Sequence, residues 1–262
     1  MTQAPLLQVK ELSKTFGGIR ALEKVSFDVH EGEILGIIGP NGSGKTTIVN
    51  GITGFIRLTS GQVLFRGRDI AGKPAHKIAD MGVTRTFQIM RPYYSLPAYK
   101  NLVIPLFSPR ARRTGGWRGG GRLGDRHTVG IDILEEIGFE RDSHVPYKAT
   151  ATLPTGYLKR LELARCLALK PEIIICDEVF SGLSMSEIAS MVPLIERLQM
   201  DGITLIMIEH RLRELFKVAS RVMVLNFGRK LMEGPPAEVM ADARVKEAYF
   251  GSREVREVMD HA

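Results

Sequence analysis

Three short stretches of this chain carry residues suited to handling a polyphosphate. The first is Gly39-Pro40-Asn41-Gly42-Ser43-Gly44-Lys45-Thr46-Thr47. Glycines at these spacings let successive backbone N–H groups turn inward, and a following helix N-terminus adds partial positive charge, so main chain does most of the holding. Lys45 is expected to reach the β- and γ-phosphates, the Thr46 hydroxyl to ligate Mg²⁺, and Thr47 to lie near the α-phosphate. The second stretch is Asp177-Glu178: one carboxylate can hold Mg²⁺ or its water shell, the other can orient or deprotonate an attacking water. The third is Glu209-His210, whose imidazole is placed to touch a terminal phosphate. A glycine-rich turn and two solvated carboxylates are the plain alternatives for the first two, and the flanking elements weigh against them; a lone histidine is usually structural, and at a strand end it could instead touch the γ-phosphate.

Those elements are strands and a helix in the right order. Ile34-Leu35-Gly36-Ile37-Ile38 is a short apolar run of the kind that forms a buried parallel strand, and Ile48-Val49-Asn50-Gly51-Ile52 continues the loop as a helix. Ile173 to Cys176 and Ile203 to Ile208 are further apolar runs, ending at the carboxylate pair and at His210. The C-terminal ends of central parallel strands are where such folds bind ligands. A nucleoside triphosphate is the expected ligand.

The rest of the chain surrounds this core. Leu6 to Lys10 and Val25 to Val29 alternate in polarity as half-exposed antiparallel strands do, and Gln62 to Phe65 reads as another strand after a turn at Ser60-Gly61. Phe16, on the turn Phe16-Gly17-Gly18, suits either a core position or a stacking platform for adenine. A strand ending at Thr84 to Gln88 gives way to a stretch rich in Pro and Tyr. Arg110 to Gly130 reads as an Arg- and Gly-rich loop anchored by Trp117, and Ile131 to Gly138 as a helix with a glycine stop. An amphipathic helix follows Gly156. The segment from Gln88 to about Tyr157 therefore reads as a helical insertion in an α/β core.

Composition sets the class. With 262 residues, 44% hydrophobic and 25% charged, the chain can bury a sizeable core. No apolar run approaches the roughly 18 residues that span a bilayer, and Met1-Thr2-Gln3-Ala4-Pro5 lacks a secretion pattern, so any membrane role is expected through a partner. Cys166 and Cys176 lie in apolar segments without metal-ligand spacing and are expected as buried thiols in a reducing compartment. The net charge of +7 is local, because six arginines fall between Arg110 and Arg126. That arrangement is a weak signal for nucleic acid, and no nucleic-acid partner is expected.

Together these stretches resemble the ATP-binding-cassette (ABC) family from about Leu6 to Gly251. The matching positions run in order: Phe16, Gly39 to Thr47, Gln88, the signature segment Leu153-Pro154-Thr155-Gly156-Tyr157, Asp177-Glu178, the turn Ser181-Gly182-Leu183-Ser184, and His210. More narrowly, Phe16-Gly17-Gly18, Arg85-Thr86-Phe87-Gln88, Lys159 to Arg165, Ile208-Glu209-His210 and Val245 to Gly251 look like the ATPase subunit of branched-chain amino-acid importers. The resemblance implies one nucleotide-binding domain over 1–262, with a P-loop NTPase (RecA-like) α/β core and antiparallel β-subdomain at 1–87 and 158–251. An α-helical subdomain occupies 88–157, and 252–262 form a tail without assigned role. It further implies ATP and Mg²⁺ as cofactors, with adenine on Phe16, phosphates on Gly39 to Thr47, and the metal near Thr46, Gln88 and Asp177. Glu178 would act on water and His210 would sense the γ-phosphate. Implied partners are transmembrane permease subunits docking near Gln88, Tyr93, Tyr94 and Leu96, a second ATPase closing head to tail, and indirectly an extracytoplasmic substrate-binding protein. The place implied is the cytoplasmic face of the membrane.

The signature departs from the family's Leu-Ser-Gly-Gly-Gln. Pro154 stands at the serine and offers neither hydroxyl nor N–H, Thr155 adds a Cβ at the first glycine, and Tyr157 replaces glutamine. A weakened contribution to a partner's ATP is expected, which favours a heterodimer with an ATPase of intact signature over a homodimer. Ser184 and Val179 also replace the family's usual Asp or Asn and Pro. Other readings are an ABC ATPase for urea or amide import or for lipid or lipopolysaccharide export, a nearly inactive regulatory subunit, and a soluble ATP switch acting on nucleic acid. The intact Lys45, Asp177, Glu178 and His210 argue against the regulatory subunit; the absence of a second cassette and of sustained heptads argues against the switch.

Overall fold

The computed structural model describes residues 4–114 and 126–250. In chain order the elements are β1 (Leu7–Phe16), β2 (Ile19–Val29), β3 (Ile34–Ile38), α1 (Lys45–Ile52), β4 (Ser60–Phe65), β5 (Arg68–Asp69), α2 (Ala75–Met81) and β6 (Val83–Arg85). Then come α3 (Val103–Leu106), α4 (Pro109–Arg113), α5 (Arg126–Glu136), α6 (Thr155–Leu167), β7 (Ile173–Asp177) and α7 (Met185–Met200). The chain continues with β8 (Thr204–Ile208), α8 (Leu212–Val218), β9 (Arg221–Asn226), β10 (Arg229–Gly234), α9 (Pro236–Ala241) and α10 (Ala243–Phe250).

The strands form two sheets. One has the order β10-β9-β3-β8-β7-β6, with β3 parallel to both β8 and β9, and β7 parallel to both β6 and β8. Every residue of β3, β7 and β8 is buried, which is why these strands read as unbroken apolar runs rather than alternating ones. Alternate side chains nevertheless enter different layers. Leu35, Ile37, Ile173, Ile175, Ile206 and Ile208 pack with α1 and with the second sheet, whereas Ile34, Ile38, Ile174, Cys176, Leu205 and Met207 pack against the helical side that includes α5, α6 and α7. The second sheet, β2-β1-β4-β5, is antiparallel and contributes Val9, Val25, Phe27 and Val63 to the first of these layers.

Two expectations need correction. The strand read from Gln62 begins at Ser60, so Ser60-Gly61 is the first pair of β4 rather than a turn before it. The loop expected from Arg110 to Gly130 is helical at both described ends: Ser108 caps α4 by accepting from the Ala111 N–H, and α5 begins at Arg126, five residues before Ile131. Gly130 is therefore not a loop residue. A Cβ there would stand 3.0 Å from the Tyr99 carbonyl oxygen, so the glycine lets α5 approach the segment from Ala98 to Leu102. Trp117 lies outside the described residues. Between β6 and α6 the described chain contains helices and turns and no strand. Cys166 and Cys176 are free and buried. Among the described residues no helix is long and apolar enough to cross a membrane.

Candidate active site

The loop from Gly39 to Gly44 is shaped by close packing of main chain. A Cβ on Gly39 (φ +154°) would fall 2.2 Å from the Leu225 carbonyl oxygen, and one on Gly44 (φ +107°) 2.8 Å from that of Ala21. The Ser43 N–H donates to the Pro40 carbonyl, and the Gly228 N–H to the Ser43 carbonyl, at 3.1 and 3.0 Å. The loop is thus wedged between the β9–β10 turn and β2. Gly44 caps α1 without a side-chain bond, and the first-turn N–H groups of any helix lack partners inside it. Lys45 is buried and its Nζ donates to Gly39 O at 2.6 Å and Pro40 O at 3.0 Å, curling back over the loop. Burial pushes the Lys45 ammonium below its usual range, while Glu178 and Asp177 pull it back up. Ser43 Oγ is buried with no hydrogen-bond partner. A loop held to glycine at positions 39 and 44 by close packing, a lysine folded over it and an orphan hydroxyl fit a polyphosphate. Thr46 is exposed and Thr47 half-buried at the start of α1, while Pro40, Asn41 and Gly42 form the outer rim.

The carboxylates meet this loop from β7. Asp177 is its last residue, and Glu178 follows with φ +55°. A left-handed non-glycine residue costs roughly 1–3 kcal/mol, and such strain is held by surrounding structure at functional positions. Gln88 Nε2 donates to Glu178 Oε2 at 2.9 Å, and His210 Nε2 lies 3.1 Å from Oε1. The structure therefore brings Gln88, Glu178 and His210, from three distant parts of the chain, onto one carboxylate.

Two partners were not assigned a role from sequence. Arg85, the last residue of β6, donates to Asp177 Oδ2 at 2.8 Å and to Asn50 Oδ1 at 2.6 Å, tying the carboxylate strand to α1. The Phe87 and Phe55 rings flank its guanidinium at 4.8 and 5.4 Å. The pair is buried, and burial pushes the Asp177 carboxyl up and the Arg85 guanidinium down, with their mutual attraction offsetting part of each shift. Glu209 is buried beside His210, and its Oε1 accepts the Phe180 N–H at 3.0 Å. Arg85 could have been flagged by its place between a strand and Gln88. Glu209 gave no signal beyond preceding His210.

The other expected residues lie around this centre. Phe16 ends β1 in a hairpin with Ile19, is 46% exposed, and has the Lys14 ammonium 4.6 Å from its ring centre. Its exposure agrees with a platform and not with the core. The signature segment opens α6: Leu153 is buried, Pro154 is the N-cap without a side-chain bond, and Thr155 is the first helical residue. A Cβ on Gly156 would meet Glu187 Oε1 at 2.5 Å, and Tyr157 packs on Phe139 with ring centres 4.9 Å apart. Tyr93 and Tyr94 are exposed after Gln88.

Comparison with known proteins agrees with this geometry. The family model described as ABC transporter matches residues 22–181, and one described as branched-chain amino acid ATP-binding cassette transporter matches residues 229–255. The high-affinity branched-chain amino acid transport ATP-binding protein LivG of Escherichia coli (strain K12) is 34% identical over 256 residues, covering 94% of this chain and 98% of LivG. Its counterpart BraF of Pseudomonas aeruginosa is 33% identical over 255 residues, covering 94% and 98%. Among solved structures, the ADP conformation of MJ1267, an ATP-binding cassette of an ABC transporter, superposes with a TM-score of 0.83 at 30% identity, covering 95% of this chain and all of that one. With the phosphate loop, the carboxylate pair and the order of elements all in place, the chain belongs to the ABC transporter family and is one of its ATP-hydrolysing subunits.

Proposed function

We propose that this chain binds ATP with Mg²⁺ and hydrolyses it to power uptake of branched-chain amino acids through membrane permease subunits. The observation that carries the reading is the grip of Gln88 and His210 on Glu178, beside a phosphate loop closed by Lys45. In this reading Phe16 stacks adenine, and Gly39, Pro40, Asn41, Gly42, Ser43, Gly44, Lys45, Thr46 and Thr47 bind phosphates. Thr46, Gln88 and Asp177 hold the metal, whose charge would offset that of the phosphates. Glu178 orients the water and accepts its proton; Gln88 and His210 fix the carboxylate against rotation. Arg85 keeps Asp177 in place. The 88–157 segment is a helical subdomain inserted in the core, and exposed Tyr93 and Tyr94 lie on the face that docks the permease. A second ATPase with an intact signature completes the site, because Pro154 and Thr155 weaken what this chain offers its partner. The assembly sits on the cytoplasmic face of the membrane, fed by a substrate-binding protein on the far side.

The names of LivG and BraF and the match at residues 229–255 support the substrate class. The test is uptake of labelled leucine, isoleucine and valine in cells lacking this chain, complemented with wild type or Glu178→Gln. Wild type is expected to restore uptake of all three. Glu178→Gln is expected to lower ATP hydrolysis about 100-fold or more, with nucleotide binding retained. Restored uptake of urea or an amide, and not of these amino acids, would reassign the substrate.

A further inference from the structure

Glu178 holds a left-handed backbone (φ +55°), and several contacts bear on its turn. Its N–H donates to Ile208 O on β8 at 2.9 Å, and its carbonyl accepts from the Ser181 N–H at 3.2 Å. The same carbonyl accepts from Lys159 Nζ at 2.8 Å. Lys159 comes from the second turn of α6 and is buried. On the other side, Glu209 accepts the Phe180 N–H at 3.0 Å. Lys159 faces Glu209, Glu178, Asp177 and Glu162, so it is a buried cation amid four carboxylates, with burial pulling its ammonium below the usual range and each carboxylate pushing it back. Two buried side chains, an ammonium and a carboxyl, thus pin the turn that carries Glu178, one from the helix that the signature segment opens, the other from the residue beside His210.

We propose that Lys159 and Glu209 are positioning residues for Glu178: they fix the left-handed turn, so the signature helix and the His210 strand both set where the hydrolytic carboxylate points. The proposal rests on the reading of Glu178 given above. It makes α6 a mechanical link, because displacement of the signature helix moves Lys159 and with it the Glu178 carbonyl. A residue that only filled space would not need a charge here; a lysine is required because its ammonium answers the surrounding carboxylates while donating to the carbonyl.

The test uses the full-length chain with Lys159→Met, Lys159→Gln and Lys159→Arg, alongside Glu178→Gln. Hydrogen exchange over residues 176–183 reads the turn directly, whatever the turnover of the isolated chain. Lys159→Met is expected to speed exchange there about 10-fold or more while distant peptides keep their protection. Lys159→Arg should restore protection, and Lys159→Gln, a donor without charge, should fall between. In steady state kcat is expected to fall about 10- to 100-fold in Lys159→Met, with KM and the affinity for a fluorescent ATP analogue within about twofold. Unchanged exchange at 176–183, an Arg variant no better than Met, or a loss shared between kcat and nucleotide affinity would each overturn the proposal. Full activity in Glu178→Gln would instead remove the reading of Glu178 itself, and leave the exchange result to judge the clamp.

Discussion

At the scale of single residues, the centre of this molecule is a set of charges that folding has taken out of water. Arg85 and Asp177 are both buried and compensate one another, with Asn50 and two aromatic rings completing the guanidinium's surroundings. Burial is likewise the largest influence on Glu209 and pushes its carboxyl up to about 8, against the Phe180 and Val179 N–H groups and Lys159, which pull it down. The folded chain therefore retains a proton on Glu209 that the unfolded chain loses near its ordinary value. Stability from this group is complete at low pH and is lost as pH climbs towards about 8. Glutamine keeps the acceptor for Phe180 and cannot ionise, so Glu209→Gln should remove that dependence. Melting temperatures of the two proteins, followed from pH 5 to 9, are expected to diverge by several degrees, roughly, with wild type losing ground until about pH 8. Parallel curves would show that Glu209 is already ionised in the folded protein at neutral pH.

At the scale of elements, what the sequence made legible depended on how far each contact reaches. β3, β7 and β8 are buried on both faces, so local composition alone identifies them. The start of α5 was hidden, because Gly130 reads as a loop residue until the approach of Tyr99 shows it as a packing device. Within the site, Gly39 to Thr47 is contiguous and could be read directly, and the strand ends gave Asp177, Glu178 and His210. Arg85 and Lys159 stood in quoted motifs without a role, since each acts on a residue that folding alone brings near. The cap of α7 was hidden for a different reason. Ser184 departs from the family's usual residue, yet it forms a capping box: its hydroxyl accepts the Glu187 N–H, and Glu187 returns to the Ser184 N–H at 2.8 Å. Because Glu187 also lies against Gly156, this cap steadies the signature turn as well as its own helix. Ser184→Ala is expected to cost about 1 kcal/mol, seen as a lowering of the melting temperature by roughly 2–4 °C. No change would mean that Glu187 alone suffices as the cap.

At the scale of the whole molecule, the proposed heterodimer follows from an imbalance between two surfaces of one chain. The phosphate loop keeps its lysine and Glu178 is held by Gln88 and His210, whereas the signature helix begins at Pro154, which has no hydroxyl or N–H to offer, and at Thr155, which adds a Cβ. ATP can shift closure only through contacts that differ between the open and closed pair, and on the proposed reading a copy of this chain would meet few of them. A Glu178→Gln chain with ATP and Mg²⁺ should slow hydrolysis and trap any closed pair that forms, so its mass in solution reports closure directly. It is expected to stay monomeric. Adding Pro154→Ser and Thr155→Gly to the same chain supplies a hydroxyl and removes a Cβ, and is expected to yield an ATP-dependent dimer. A dimer without those changes would make the pair symmetric and the signature sufficient as it stands. A monomer in both cases would mean that closure needs surfaces beyond the signature, which a partner ATPase or the permease would have to bring.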